Sequence, residues 1–198
     1  LVFRRVLFRS SNACAISFDP MKNLNNYGNG GAIVTNDIYM ADFARAYRNN
    51  GKPTHIESGS NTRMSEIDCA QMLVKTKYID AWQKRRGEIS HYWIQRLKVS
   101  GIRSLIDESN HRNHAYHKFV IEVNNRDILQ RNLEIRGIET KIHYKEPLHE
   151  LPAYSNLEGP NMLSAASAMA RRVLSLPLYP ELTDLEVEYI IDQLLDCA

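Results

Sequence analysis

The chain has 198 residues, 43% of them hydrophobic, which is enough to bury one sizeable core, or a core and a smaller satellite domain. Its 25 basic and 23 acidic residues give a net charge of +2 without a basic stripe, which argues against a nucleic-acid partner. The three cysteines are widely separated and form no CxxC pair, which argues against a disulfide framework and favours the cytoplasm. No apolar run approaches the ~20 residues of a membrane-spanning helix, which argues against a membrane span.

Residues 1–10 combine an apolar stretch with closely spaced arginines. They lack the order of a signal peptide, in which the charges come first and an uninterrupted apolar core follows. We therefore expect a non-native lead that packs poorly.

The first predicted elements are two strands that flank a loop. Residues 12–18 alternate apolar and smaller side chains, which predicts a strand, and residues 32–35 form a second one. Lys22 lies in the loop between them, followed by glycines at 28, 30 and 31. No phosphate-binding glycine motif is present there, so we attribute these glycines to tight-turn geometry with positive φ and to close backbone approach.

Helical elements come next in the chain. Asn36 or Asp37 can cap a helix that runs to about residue 50 and ends at Gly51. Apolar residues then recur at helical spacing between Ser65 and Gly101. This stretch predicts two consecutive helices that connect two domains.

Beyond Gly101, strands alternate with helices, which indicates a small α/β domain. Its last helix is the best defined, because Thr183 and Glu186 form a capping box ahead of an apolar face. The other predicted elements are a strand at 119–123, a helix from Asn125 to about Gly137, a strand at 138–144, a helix at about 161–172 and a strand at 174–176.

The chemistry centres on Lys22, although a loop lysine is ordinarily just a solvated side chain. Its surroundings are Ser17-Phe18-x-x-x-Lys22-Asn23-Leu24, followed by Gly28-x-Gly30-Gly31-Ala32-Ile33-Val34-Thr35. This pattern resembles the cofactor-lysine signature of the DegT/DnrJ/EryC1/StrS aminotransferase family. The resemblance continues through Arg48-Asn49-Asn50-Gly51, Gly59-x-Asn61-x-Arg63-Met64-x-Glu66-Ile67, Ile142-His143-Tyr144, Pro147-Leu148-His149 and Leu174-Ser175-Leu176-Pro177.

The resemblance implies a fold-type-I transferase with an α/β fold that uses pyridoxal 5'-phosphate (PLP). Residues 11–100 would be the C-terminal part of its large PLP-binding domain, with connecting helices, and residues 101–198 its small C-terminal domain. Lys22 would bond covalently to the cofactor aldehyde and move the α-proton, two tasks that a lysine amine can combine.

The other site residues also follow from the resemblance. Ser17 would bind the cofactor phosphate, Asn61 would reach the phosphate of a neighbouring subunit in a homodimer, and Arg63 would contact an anion of the substrate. His143 and Tyr144 would contact the substrate sugar or its phosphates. Each assignment has a competing interpretation: Ser17 as an ordinary strand-end serine, Arg63 as a surface or ion-paired cation, and His143 as a core histidine. His149 also matches a family position, and we expect it to support the loop.

The implied activity is transfer of an amino group from glutamate or glutamine to a nucleotide-linked keto sugar, for polysaccharide or modified-sugar biosynthesis. Asp19 and Lys141 depart from the family pattern, so the substrate contacts are expected to differ. The upstream half, which in the family carries the aspartate that pairs with the cofactor ring nitrogen, is not in this sequence. We therefore expect little or no activity from this chain alone.

Three alternatives remain open at this stage. Some relatives use the fold as a non-catalytic regulatory or binding module. A sister branch of PLP-dependent sugar dehydratases carries histidine in place of the lysine, against which Lys22 argues. Finally, His111, His114 and His117 are spaced by three as metal ligands can be, but the adjacent segment is predicted as strand and no carboxylate or cysteine completes the set, so we expect no metal.

Overall fold

The computed structural model describes residues 12–55, 58–106, 114–154 and 163–198, and the predicted lead at 1–10 lies outside them. The chain divides into two compact units, one up to Ala81 and one from Trp82 onward. Ile89, Trp93 and Leu97, all in the second connecting helix, belong to the core of the second unit. The domain boundary near residue 100 stays a prediction.

The first unit begins with a two-stranded antiparallel hairpin. β1 (Ala13–Ser17) pairs with β2 (Gly31–Thr35), with Ser17 opposite Gly31, so both predicted strands are confirmed. A side chain at Gly31 would place its Cβ 2.8 Å from the Ile16 carbonyl oxygen. Close approach therefore explains this glycine, whereas the predicted positive φ is wrong, since the described glycines that have it are Gly51, Gly101 and Gly137.

Two helices of the first unit begin where the sequence predicts. α1 (Ile38–Tyr47) starts after Asp37, whose Oδ1 accepts bonds from the amides of residues 39 and 40 at 2.9 and 3.2 Å. It ends three residues before the predicted end, because residues 49 and 50 bond to the segment at 60–61. α2 (Glu66–Lys75) starts after Ser65, whose Oγ accepts a bond from the Asp68 amide at 3.1 Å.

The connecting helix α3 (Ile79–Leu97) leads into a three-stranded antiparallel sheet. The strands β3 (Arg103–Ser104), β4 (Phe119–Glu122) and β5 (Val173–Leu176) lie in that order. The two consecutive helices and the strands at β4 and β5 are thus confirmed. The predicted strand at 138–144 is wrong, since its pairing in the described part of the chain is an isolated bridge between Lys141 and Ser175.

Three helices complete the second unit, together with short 3-10 turns at Leu148–Glu150 and Pro152–Tyr154. The capping box is confirmed: the Glu186 amide donates to Thr183 Oγ1 at 3.3 Å, and the Thr183 amide donates to Glu186 Oε2 at 2.8 Å. By contrast, Asn125 precedes its helix without a side-chain cap bond. The helices are α4 (Arg126–Ile135), α5 (Ser164–Ala170) and α6 (Asp184–Cys197).

The second unit has a continuous apolar core between its sheet and helices. Trp93 is fully buried, stacks edge-on against Phe119 at 5.0 Å between ring centroids, and donates from Nε1 to the Val187 carbonyl at 2.9 Å.

None of the helices in the described residues has the length and apolar character of a membrane-spanning helix.

Candidate active site

Lys22 lies in the loop that joins β1 to β2, at the end of a tight turn. The turn spans Asp19 to Lys22, and the Lys22 amide donates to the Asp19 carbonyl at 2.9 Å. The Asp19 carboxylate accepts a bond from the Met21 amide at 2.8 Å. Aspartate in the first position and Pro20 in the second favour this turn, since one bonds back to the chain and the other presets φ. Local sequence therefore forms the turn that carries the lysine.

Ser17 and Lys22 are joined through Asp19. Ser17, the last residue of β1, accepts a bond at Oγ from the Asp19 amide at 3.3 Å, which leaves its hydroxyl hydrogen available for another acceptor. Lys22 is half-buried, and within the described residues its Nζ makes no hydrogen bond or ion pair. The loop thus offers a hydroxyl donor and an amine, the groups that a phosphate and an aldehyde require.

Asn61 and Arg63 lie on a segment that pairs with the end of α1. Asn61 forms a bridge with Asn49, and both Asn61 and Arg63 are exposed. Gly59 allows this close approach, because a Cβ there would lie 2.5 Å from the Tyr47 carbonyl oxygen. Within the described residues, neither Asn61 nor Arg63 makes a side-chain hydrogen bond with Ser17 or Lys22.

Met64 connects the same segment to the Lys22 loop. A Cβ at Gly30, just before β2, would lie 3.1 Å from Met64 Sδ and 3.4 Å from Asn26 Nδ2. Gly30 is therefore kept small by side chains from two directions. The segment with Asn61 and Arg63 and the Lys22 loop are therefore close to each other at Met64 and Gly30, within the first unit.

Sequence analysis missed a set of polar contacts between α2 and the loop. Gln71 Nε2 donates to Asn26 Oδ1, and Lys75 Nζ donates to the Asn25 carbonyl at 2.9 Å and to Asn25 Oδ1 at 2.8 Å. Hydrogen bonding to Ser65, whose Oγ donates to the Asp68 carboxylate at 2.7 Å, lowers the pKa of Asp68. No sequence signal indicated this set, because its partners are 45 and 50 residues apart.

The predicted substrate residues His143 and Tyr144 belong to the second unit. His143 is half-buried, and its Nδ1 lies 2.9 Å from Oγ of the buried Ser175. Tyr144 is 72% exposed, with its ring edge-on to His143 at 5.5 Å. His143 is thus held by β5, as a core histidine would be, while the phenol of Tyr144 is accessible to a ligand.

His149 and His114 have structural contacts. His149 Nε2 lies 3.1 Å from Ser167 Oγ, which links a 3-10 turn to α5. His114 Nδ1 accepts a bond from the Tyr116 amide at 2.9 Å, and burial lowers the pKa of His114. His111 lies outside the described residues. Within the described residues, which include His117, there is no group of three or more His, Cys, Asp or Glu side chains that could hold a metal ion.

Comparison with known proteins places these features in a family. The profile of the DegT/DnrJ/EryC1/StrS aminotransferase family matches residues 8–195. The chain belongs to this family. The family predicted from the sequence is thereby confirmed, and so is the α/β fold, which matches about half the length of fold-type-I sugar aminotransferase structures.

Individual relatives agree with the assignment. The chain is 40% identical over 186 residues to the erythromycin biosynthesis sensory transduction protein EryC1 of Saccharopolyspora erythraea, covering 91% of this chain and 50% of that protein. It is 35% identical to a dTDP-3-amino-3,4,6-trideoxy-alpha-D-glucose transaminase of Streptomyces venezuelae, covering 95% of this chain and 51% of that protein. The crystal structure of S. venezuelae DesV, solved with a ketimine intermediate, superposes with a TM-score of 0.88 at 33% identity, covering 93% of this chain and 51% of that one.

The chain spans about half the length of the curated relatives it matches. It is thus related to sugar-nucleotide aminotransferases over that half. A sugar aminotransferase of Streptococcus pneumoniae with the same fold (TM-score 0.83, 23% identity) has been solved in a PLP form. The free amine of Lys22 and the hydroxyl of Ser17 are donors that fit this cofactor.

Proposed function

We propose that the complete protein containing this chain is a PLP-dependent aminotransferase that moves an amino group from glutamate or glutamine to a nucleotide-linked keto sugar. The observation that carries this proposal is the placement of Lys22. Its half-buried amine lies in a turn fixed by Asp19, five residues after a serine hydroxyl that the same aspartate holds. The name of the S. venezuelae transaminase supports the substrate class.

Lys22 and Ser17, both in the first unit, have separate tasks in this proposal. Lys22 Nζ would hold the cofactor through its aldehyde, with loss of water. Once displaced by the amino donor, it would accept the proton of the donor's α-carbon in the first half-reaction and deliver a proton to the sugar carbon in the second. Ser17 Oγ donates to the cofactor phosphate. Bound PLP would supply the electron sink that these proton transfers need.

The remaining tasks concern the substrate and a second subunit. The exposed amide of Asn61 binds the cofactor phosphate of a second copy in a homodimer, and the exposed guanidinium of Arg63 adds an anion contact. Tyr144, 72% exposed, contacts the sugar or its phosphates. His143 orients Tyr144 through their edge-on ring contact while Ser175 holds His143 itself.

Reductive trapping of the complete protein tests the central claim. After incubation with PLP and borohydride, we expect mass spectrometry to locate the pyridoxyl group on Lys22 and to find the label lost in Lys22→Arg. Lys77→Arg is the matched control, since Lys77 follows the end of α2 and is exposed. A label on another side chain, or no label on Lys22, would overturn the proposal.

A second candidate function is a regulatory module built on the same fold, favoured by the sensory transduction name of the EryC1 relative. An amino-donor assay separates the two functions. An aminotransferase converts glutamate or glutamine to the corresponding 2-oxo acid in a single turnover of the complete protein with PLP, and Lys22→Arg abolishes that conversion. A purely regulatory protein produces no 2-oxo acid from either donor in the same assay.

A further inference from the structure

The loop that carries Lys22 is held at two points by one face of α2. Asn25 and Asn26, two adjacent asparagines of the loop, accept bonds from Lys75 and Gln71 respectively. These two donors lie four residues apart on the helix, so their side chains lie on the same face. α2 therefore contacts the loop through two neighbouring side chains at once.

The contact at Asn26 is buried. Asn26 is 1% exposed, and its backbone amide donates to the Phe18 carbonyl at 2.8 Å, just past the end of β1. Its side-chain oxygen accepts the bond from Gln71, whereas its Nδ2 has no hydrogen-bond partner among the described residues. The bond from Gln71 therefore fixes the base of the loop, because losing it would leave the buried Asn26 oxygen unsatisfied as well.

The contact at Lys75 reaches the turn of Lys22 through one intermediate residue. Lys75 Nζ binds both oxygens of Asn25, and its ammonium lies 4.9 Å from the centre of the Tyr27 ring. The side-chain nitrogen of Asn25 in turn donates to the Pro20 carbonyl at 2.9 Å. Pro20 is the second residue of the turn whose fourth residue is Lys22. A continuous series of hydrogen bonds thus runs from the end of α2 to the turn of the lysine.

We propose that Lys75 and Gln71 are positioning residues that hold the β1–β2 loop so that the Lys22 amine is presented in a fixed place. This inference rests on the proposed function for its chemical meaning, since a fixed amine matters only if it must meet a carbonyl carbon. Lys75 acts through Asn25 and the turn, and Gln71 through Asn26. Neither residue is assigned contact with cofactor or substrate.

Two measurements on the complete protein test this inference, with three variants of Lys75 and its neighbour. Lys75→Met removes the ammonium, Lys75→Arg retains a charged donor, and Lys77→Met removes the same charge from an exposed position nearby. Hydrogen exchange of the peptide covering residues 18–30 reports loop order. Pyridoxyl labelling of Lys22 at sub-saturating PLP, followed by borohydride, reports presentation of the amine.

We expect Lys75→Met to raise exchange in the loop and to lower Lys22 labelling, each by about tenfold, the factor expected for one lost charge-assisted hydrogen bond. Lys75→Arg should recover most of both values, and Lys77→Met should match the wild type. Gln71→Met, which acts at the other contact, should change both measurements in the same direction as Lys75→Met. Circular dichroism of each variant confirms that α2 is intact.

The outcomes separate this inference from the proposed function. If Lys22 is labelled in the wild type but neither exchange nor labelling responds to Lys75→Met and Gln71→Met, the positioning role is wrong and the function stands. If wild-type Lys22 is not labelled while loop exchange follows the expected pattern, the function is wrong and the hold of α2 on the loop stands. An equal response to Lys77→Met would also overturn the positioning role, because a general charge effect would then explain the result.

Discussion

The two units differ in where their apolar side chains lie. In the second unit, Trp93, Phe119 and Leu133 are fully buried within a continuous core. In residues 12–55 and 58–81 of the first unit, Met72 is the one large apolar side chain that is buried, whereas Tyr39 and Ile67 are 85% and 78% exposed. Most of the apolar stabilisation therefore belongs to the second unit, while the candidate cofactor residues belong to the first.

This difference shows that the residues for chemistry and those for stability are separated along the chain. Burial of apolar area is the main favourable contribution to folding. The first unit instead relies on strand pairing, helix caps and the polar contacts of Asn26 and Lys75. Regions with few buried apolar contacts open at lower free energy than a packed core. Substitutions should accordingly have their largest effect in the second unit.

The largest expected effect is that of Trp93→Ala. Removing this fully buried ring eliminates its contact with Phe119 and leaves a cavity, so the free energy of unfolding of the second unit should fall by about 3–5 kcal/mol. Urea denaturation followed by far-UV circular dichroism measures it. Val99→Ala, at a side chain that is 92% exposed, should change it by less than about 0.5 kcal/mol. Similar losses in the two variants would contradict the contrast between the units.

Met72→Ala probes the first unit in the same way. Met72 is 7% exposed and lies in α2, so its truncation should lower the free energy of opening of that helix by about 2 kcal/mol. Amide exchange in α2 should then be about thirtyfold faster. Leu73→Ala, at a neighbouring side chain that is 69% exposed, is the control and should leave exchange almost unchanged. Equal effects would show that the first unit has no core of its own around Met72.

Thr183→Ala tests the capping box of α6. The substitution removes the acceptor for the Glu186 amide at the start of the helix. The free energy of unfolding should fall by about 1 kcal/mol, the usual cost of losing a helix cap. Thr183→Ser retains the hydroxyl and should stay near the wild-type value in the same denaturation experiment. A serine variant as unstable as the alanine one would show that the methyl group, and not the cap, is responsible.

The smallest expected effect is a pH dependence that originates at His114. Burial lowers the pKa of His114 below its ordinary value of 6.5, so the unfolded chain binds a proton more readily than the folded one. The stability from this residue is present above about pH 6.5, is lost as the pH falls toward the lowered pKa, and is constant below it.

The measurement for this prediction is the urea midpoint of the second unit between pH 8 and pH 5.5 for wild type and His114→Asn. Asparagine can still accept the Tyr116 amide bond but does not titrate in this range. The wild type should therefore lose more stability than the variant as the pH falls. Parallel curves would show that protonation of His114 is not coupled to folding.

Several features followed from local sequence alone. The alternation at 12–18, the caps at Asp37, Ser65 and Thr183 and the periodicity of the helices all depend on residues within a few positions of one another. The turn of Lys22 is local too, since Asp19 and Pro20 favour it without help from the rest of the chain. For these elements the sequence was sufficient to predict the type of structure and to place the candidate lysine in a loop after a strand.

Tertiary contacts decided the rest, because they join residues that are far apart in the chain. α1 ends early since the segment at 60–61 bonds to residues 49 and 50, and residues 138–144 pair with β5 at the single bridge of Lys141. The hold of Lys75 and Gln71 on the Lys22 loop spans 50 and 45 residues. Periodicity and composition do not encode such long-range pairings. The residues proposed to position Lys22 could therefore be identified only from the tertiary structure.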